Sequence, residues 1–228
     1  MNPLKALDEC GQSVWLDFLS RRFVEDGSLK ELIARDGLGG VTSNPAIFEK
    51  AIDAGEDYAA AIVAALKATD RTPGDLYELL AIADIQNAAD VLRPVYDATG
   101  RRDGFVSLEV SPYLALDTAA TIAEARRLWH AVRRDNVMVK VPATPAGLPA
   151  IRRLLGEGIN INITLLFSQS VYADVAEAFL AGAEAFAADG GELGRLASVA
   201  SFFVSRIDTA VDKRIEARRD NALAILKG

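Results

Sequence analysis

The sequence predicts an α/β fold on a parallel sheet, curled toward a (β/α)8-type barrel, and three observations carry that expectation. Short apolar runs alternate with longer stretches of helical periodicity. Cap residues mark where several of the helices start. The strands divide into an aliphatic face and a polar face.

Taken in order, residues 14–18, 40–43, 105–110, 136–141, 159–167 and 197–203 read as strands. Gly37-Leu38-Gly39-Gly40 precedes a strand instead of following one, so it reads as a turn and not as a phosphate-binding loop. Asn44-Pro45 joins an N-cap residue to a proline at the first helical position. Thr72-Pro73 does the same with Asp75 as an acidic third residue, and the periodicity behind it runs to Gly100. Asp117 and Ser168 stand where the next helices need caps. Repeated strand-then-helix units require a parallel sheet, either doubly wound or closed into a barrel.

Strand parity separates those two. In 105–110, Val106, Leu108 and Val110 share one face and Ser107 and Glu109 the other. In 136–141, Val137, Val139 and Val141 oppose Asn136, Met138 and Lys140; in 159–165, Ile159, Ile161, Ile163 and Leu165 oppose Asn160, Asn162 and Thr164. Strands sandwiched between two helix layers are apolar on both faces, whereas a barrel can line its inside with polar groups. The barrel is therefore expected, as one domain over residues 1–228, with no solenoid-length repeat and no linker.

Composition excludes several classes of function. Half of the 228 residues are apolar, enough for a sizeable core, but no run approaches the roughly 20 needed to span a bilayer, and the N-terminus lacks a signal-peptide pattern. A cytoplasmic protein is expected. A net charge of −7 without a basic stripe argues against nucleic-acid partners. Cys10 and His130 are the single cysteine and histidine, which excludes an internal disulfide and leaves no basis for a His-rich metal site. No metal and no cofactor are expected. Cys10 reads as a small buried apolar residue, His130 as a helix residue remote from the strand ends, and the Arg152-Arg153 and Arg218-Arg219 pairs as solvated helix faces.

Lys140 is the most informative residue, because Val-Met-Val-Lys-Val-Pro sets an ammonium in an apolar strand. Withdrawal from water favours the neutral amine, the nucleophile that attack on a ketone requires; the competing interpretation is a lysine paired with a buried carboxylate. Glu109 and Asp17 lie near the ends of two other apolar strands. In a parallel barrel all strand ends open on one mouth, so the three can converge as an amine with separate acid and base groups.

Trp-Leu-Asp-Phe at 15–18, Val-Thr-Ser-Asn-Pro at 41–45, Val-Ser-Leu-Glu-Val at 106–110, Val-Lys-Val-Pro-Ala-Thr at 139–144, Asn-Ile-Thr-Leu-Leu-Phe-Ser at 162–168 and Ser-Phe-Phe-Val-Ser-Arg-Ile at 201–207 resemble transaldolase motifs, in transaldolase order. The pattern is most similar to bacterial transaldolases that also occur fused to glucose-6-phosphate isomerase. The resemblance implies a class I aldolase-like TIM barrel acting on sugar phosphates through a Schiff base. It makes Lys140 the Schiff-base lysine, Asp17 the acid/base of carbon–carbon cleavage, and Glu109 with Thr164 the holders of a catalytic water. Asn44 and Asn162 would bind substrate hydroxyls, and Ser201 and Arg206 the phosphate. A barrel of this type has eight strands in about 250 residues, and six are found here, so the chain is expected to be C-terminally truncated relative to the family. A homodimer, or a fused isomerase domain in a longer protein, is the further association the resemblance suggests.

Overall fold

The computed structural model describes residues 2–53 and 56–218. Along the chain run α1 (Pro3–Glu9), β1 (Val14–Asp17), α2 (Arg21–Glu25), α3 (Ser28–Asp36), β2 (Leu38–Thr42), α4 (Pro45–Asp53), α5 (Ala59–Ala68) and α6 (Pro73–Ala98). They are followed by β3 (Phe105–Glu109), α7 (Thr118–Val132), β4 (Val137–Pro142), α8 (Gly147–Gly156), β5 (Ile161–Leu166), α9 (Gln169–Ala188), β6 (Ser198–Phe202) and α10 (Val204–Arg218). All strand pairs are parallel and the spatial order is the chain order, β1 to β6. The result is an incomplete TIM-type barrel with helices outside.

The caps act as their chemistry requires. Thr72 and Asp75 form a reciprocal capping box at the start of α6, while Asp117 and Ser168 accept from the first turns of α7 and α9. The Asn44 side chain accepts from Ile47 N at 3.0 Å and starts α4.

Two layers of apolar side chains hold the sheet. Outside it, Val106, Leu108, Val110, Val139, Val141, Ile161 and Ile163 meet Ile85, Leu92, Leu128, Ile151 and Leu154 of the helices in one continuous core. Inside, Phe105 and Met138 form a second cluster with Tyr96, and Trp15 of β1 and Val199 of β6 both pack on it. The first and last strands can reach one cluster only if the sheet is curled. This interior plug fills the amino-terminal half of the barrel and leaves the other end for polar side chains.

Four expectations need correction. The glycine stretch expected as a turn is mostly strand: Gly37 ends α3 with φ 71°, but Leu38 and Gly39 join Gly40, already expected as a strand residue, in β2. A side chain at Gly40 would collide with the Trp15 indole, so the glycine serves close approach of strand to plug. Cys10, expected to be buried, is exposed at the end of α1. Asn136 and Asn160 precede β4 and β5 and hold loop carbonyls with their amides: Asn136 those of Ala89 and Gly104, Asn160 those of Asp135 and Val137. Leu165, placed by parity on the helix-facing side, has φ 63° and is 43% exposed, while Leu166 takes the buried outer place. Arg152 and Arg153 are solvent-exposed as expected, and His130, on α7 as expected, is exposed too. Arg219 lies outside the described residues, as does the Arg218 side chain.

Candidate active site

β3, β4 and β5 set three polar side chains abreast. Glu109 is the register partner of Lys140, and Lys140 of Asn162, so strand pairing alone makes a row of carboxylate, ammonium and amide across the barrel. Lys140 is 7% exposed. Its Nζ donates to the carbonyl of Ser43 at 3.1 Å and lies 3.6 Å from Glu109 Oε2. The Ser43 hydroxyl in turn donates to Ser107 O at 2.7 Å, which fixes the β2 end against β3. Burial pushes the Glu109 carboxyl above its ordinary 4.5; Lys140 pulls it back, and the Asp17 carboxylate pushes it further up.

Asn162 is fully buried. It donates to Ser107 Oγ at 2.9 Å and accepts from Ser201 Oγ at 2.8 Å. One row above, Thr164 pairs with Pro142 across β4–β5 and is 3% exposed. At the other side of the mouth Thr42 donates to Asp17 Oδ1 at 2.6 Å, orienting a carboxylate that is itself exposed.

These groups surround one cavity of about 740 Å³ at the carboxyl ends of the strands. Of the eight residues singled out by sequence, Asp17, Asn44, Glu109, Lys140, Thr164, Ser201 and Arg206 line it. Asn162 lies beneath, reaching it through Ser201. Arg206, near the start of α10, stacks on the Phe203 ring at 4.2 Å and is not paired with Asp208. A guanidinium held by an aromatic face keeps its hydrogen-bonding edge for an anion.

Sequence reasoning missed several lining residues. Lys50, one helical turn beyond Ala46 on α4, adds a second cation to the mouth. Ile47, Leu165, Phe202 and Phe203 make an apolar wall. Ser107 was visible as a polar residue on the same strand face as Glu109, but its service to Asn162 depends on a contact 55 residues away. Among the described residues no group of three or more His, Cys, Asp or Glu is placed to hold a metal ion, and no helix is long and apolar enough to cross a membrane.

The family profile described as Transaldolase/Fructose-6-phosphate aldolase matches residues 14–227. The chain belongs to that family. It is 50% identical over 218 residues to Transaldolase 2 of Nostoc sp., covering 96% of this chain and 57% of the relative. It is 52% identical over 226 residues to Transaldolase 1 of Streptomyces avermitilis, covering 99% and 59%. With the transaldolase of Thermobifida fusca it shares 49% over 227 residues, covering 100% and 61%. The chain thus spans somewhat more than half the length of the curated transaldolases it matches, and the matched part of this chain carries every residue of the cavity described above.

Proposed function

We propose that this chain carries the Schiff-base machinery of a transaldolase, which moves a dihydroxyacetone unit from a ketose phosphate to an aldose phosphate in the non-oxidative pentose phosphate pathway. The observation that carries this reading is Lys140, buried beside Glu109 and Asn162 at the floor of a cavity whose mouth holds Arg206, which has no carboxylate partner among the described residues. Lys140 Nζ, as the free amine, adds to the donor carbonyl; loss of water gives an iminium. Glu109 and Thr164 hold the water that enters and leaves in this step, a role suited to a carboxyl with raised proton affinity. Asp17 takes the proton from the substrate hydroxyl as the adjacent carbon–carbon bond breaks. The electron pair moves into the iminium, leaving an enamine and a free aldehyde. Addition of the enamine to a second aldehyde and hydrolysis reverse these steps. Asn44 and, once Ser201 turns away from it, Asn162 bind hydroxyls of the bound fragment, and Arg206 binds the phosphate. Ser201 joins the phosphate only by turning its proton away from Asn162.

Sedoheptulose 7-phosphate or fructose 6-phosphate is the donor in this reading. The whole is one barrel domain in the cytoplasm, with a homodimer or a fused isomerase as its macromolecular context. The family's own description pairs transaldolase with an aldolase, so the alternative is a lyase that releases the three-carbon unit. Product analysis with and without an acceptor aldehyde separates the two. Borohydride reduction in the presence of fructose 6-phosphate is expected to fix an adduct at Lys140, located by mass mapping. An adduct on another lysine, or none, overturns the proposal.

A further inference from the structure

β5 alternates regularly as far as Thr164. Ile161 and Ile163 join the helix-facing core, and Asn162 and Thr164 face inward. The next residue should return to the core, and it does not. From Ile163 to Leu166 the strand takes three steps while its partner takes two, from Ala200 to Phe202. The surplus residue is Leu165. Its left-handed backbone, φ 63°, keeps its side chain among the residues that line the cavity, and Leu166 fills the core place with no exposure.

That conformation strains a leucine, because its Cβ crowds the following carbonyl; glycine adopts it without penalty. The other two described non-glycine residues with positive φ end helices, Arg101 just after α6 and Arg133 at the cap of α7. Such positions are common chain-reversal points. Leu165 alone stands within a strand and at the site. The bulge by itself explains why the backbone turns there, but it does not call for a leucine. A branched apolar side chain in a strained backbone, outside the core, 43% exposed and lining the cavity, is placed to meet what the cavity binds.

We propose that Leu165 is a specificity-determining residue, whose side chain packs against the carbon chain of the bound sugar phosphate. This rests on the sugar-phosphate reading above. The cavity is two-sided: Asp17, Glu109 and Lys140 present charge, and Leu165 with Phe202 and Phe203 presents an apolar wall. A sugar phosphate has the same two characters, hydroxyls that need polar partners and C–H surface that does not. Leu165 precedes the outward Leu166 and follows Thr164, so the contact it makes lies next to the proposed catalytic water.

The neighbouring leucines supply the test. Leu165→Ala, Leu165→Gly and Leu166→Ala are compared in the 228-residue chain by melting temperature and by the fructose 6-phosphate concentration that gives half-maximal borohydride trapping at Lys140. Leu165→Ala is expected to raise that concentration about five- to tenfold with little change in Tm, the effect of removing part of a leucine contact. Leu165→Gly should bind as weakly while melting no lower than Leu165→Ala, since the strain is relieved. Leu166→Ala should lower Tm by several degrees and leave the half-maximal concentration of the folded fraction unchanged. If Leu165→Ala lowers Tm as Leu166→Ala does and binds normally, the residue is structural and the proposal fails. It fails equally if neither quantity moves. A parent chain that traps no adduct is recognised before any substitution is made, and it removes the Schiff-base reading and this inference together.

Discussion

Lys140 and Glu109 pose one electrostatic problem between them, because each is withdrawn from water and each supplies the other's counter-charge. The Glu109 carboxyl is raised above 4.5 by burial despite its neighbour. Between the two values the folded chain holds a proton that the unfolded chain has released, so this group's stabilisation is complete below 4.5 and is lost as pH rises through the raised folded value. Glu109→Gln removes that dependence, and its Tm is expected to change less than the parent's between neutrality and pH 4.5, which thermal melts across that range would check. The two carboxylates should also divide the chemistry. Asp17→Asn is expected to accumulate trapped, uncleaved donor, and Glu109→Gln to slow adduct formation itself; the reverse pattern on mass mapping would exchange their roles. At this scale parity made much of the site legible, since a polar residue on an aliphatic strand is visible without coordinates. Leu165 was not legible. A single extra residue in β5 resets the alternation, and nothing in Thr-Leu-Leu-Phe tells which leucine turns inward.

Among the elements, a buried polar cluster fixes how α2 sits on α6. The Asp84 side chain, with no exposure, accepts from Arg21 Nε at 2.9 Å and from Tyr58 Oη at 2.7 Å, and the guanidinium covers the Tyr58 ring at 4.5 Å. Burial pushes the Asp84 carboxyl up, while Tyr58 and Arg21 pull it down. Tyr58 also accepts from Arg21 N at 3.1 Å, so the β1–α2 connection that follows Asp17 is tied to a segment 37 residues away. Asp84→Ala leaves Arg21 buried without its partner and should cost about 3–5 kcal/mol in urea unfolding, against about 1–2 kcal/mol for Tyr58→Phe. Equal losses for the two would mean that the tyrosine hydroxyl, not the ion pair, holds the helices together. The Thr72 capping box was readable because its members are three residues apart. The Asp84 cluster was not, because its partners lie 26 and 63 residues away and an aspartate inside a helix looks like any solvated one.

For the whole molecule the governing fact is an open sheet. Strand count followed from the alternation of short strands and capped helices and barrel class from strand parity, and curl is enforced by the plug that Trp15 and Val199 share. Among the described residues neither β1 nor β6 has a strand on its outer side, so two rows of backbone donors and acceptors lack sheet partners. An edge of this kind pairs readily with another copy, and Ala200, exposed in the middle of β6, offers no charge to prevent it. The 228-residue chain should therefore show an apparent mass by light scattering that rises with concentration. Ala200→Lys sets a charge on that edge strand, the kind of device by which exposed edges resist pairing, and is expected to shift the equilibrium toward monomer without lowering Tm. A parent chain that stays monomeric as concentration rises would show that the β6 edge is already covered. An Ala200→Lys variant that associates as strongly as the parent would instead move the contact to β1 or to the helices.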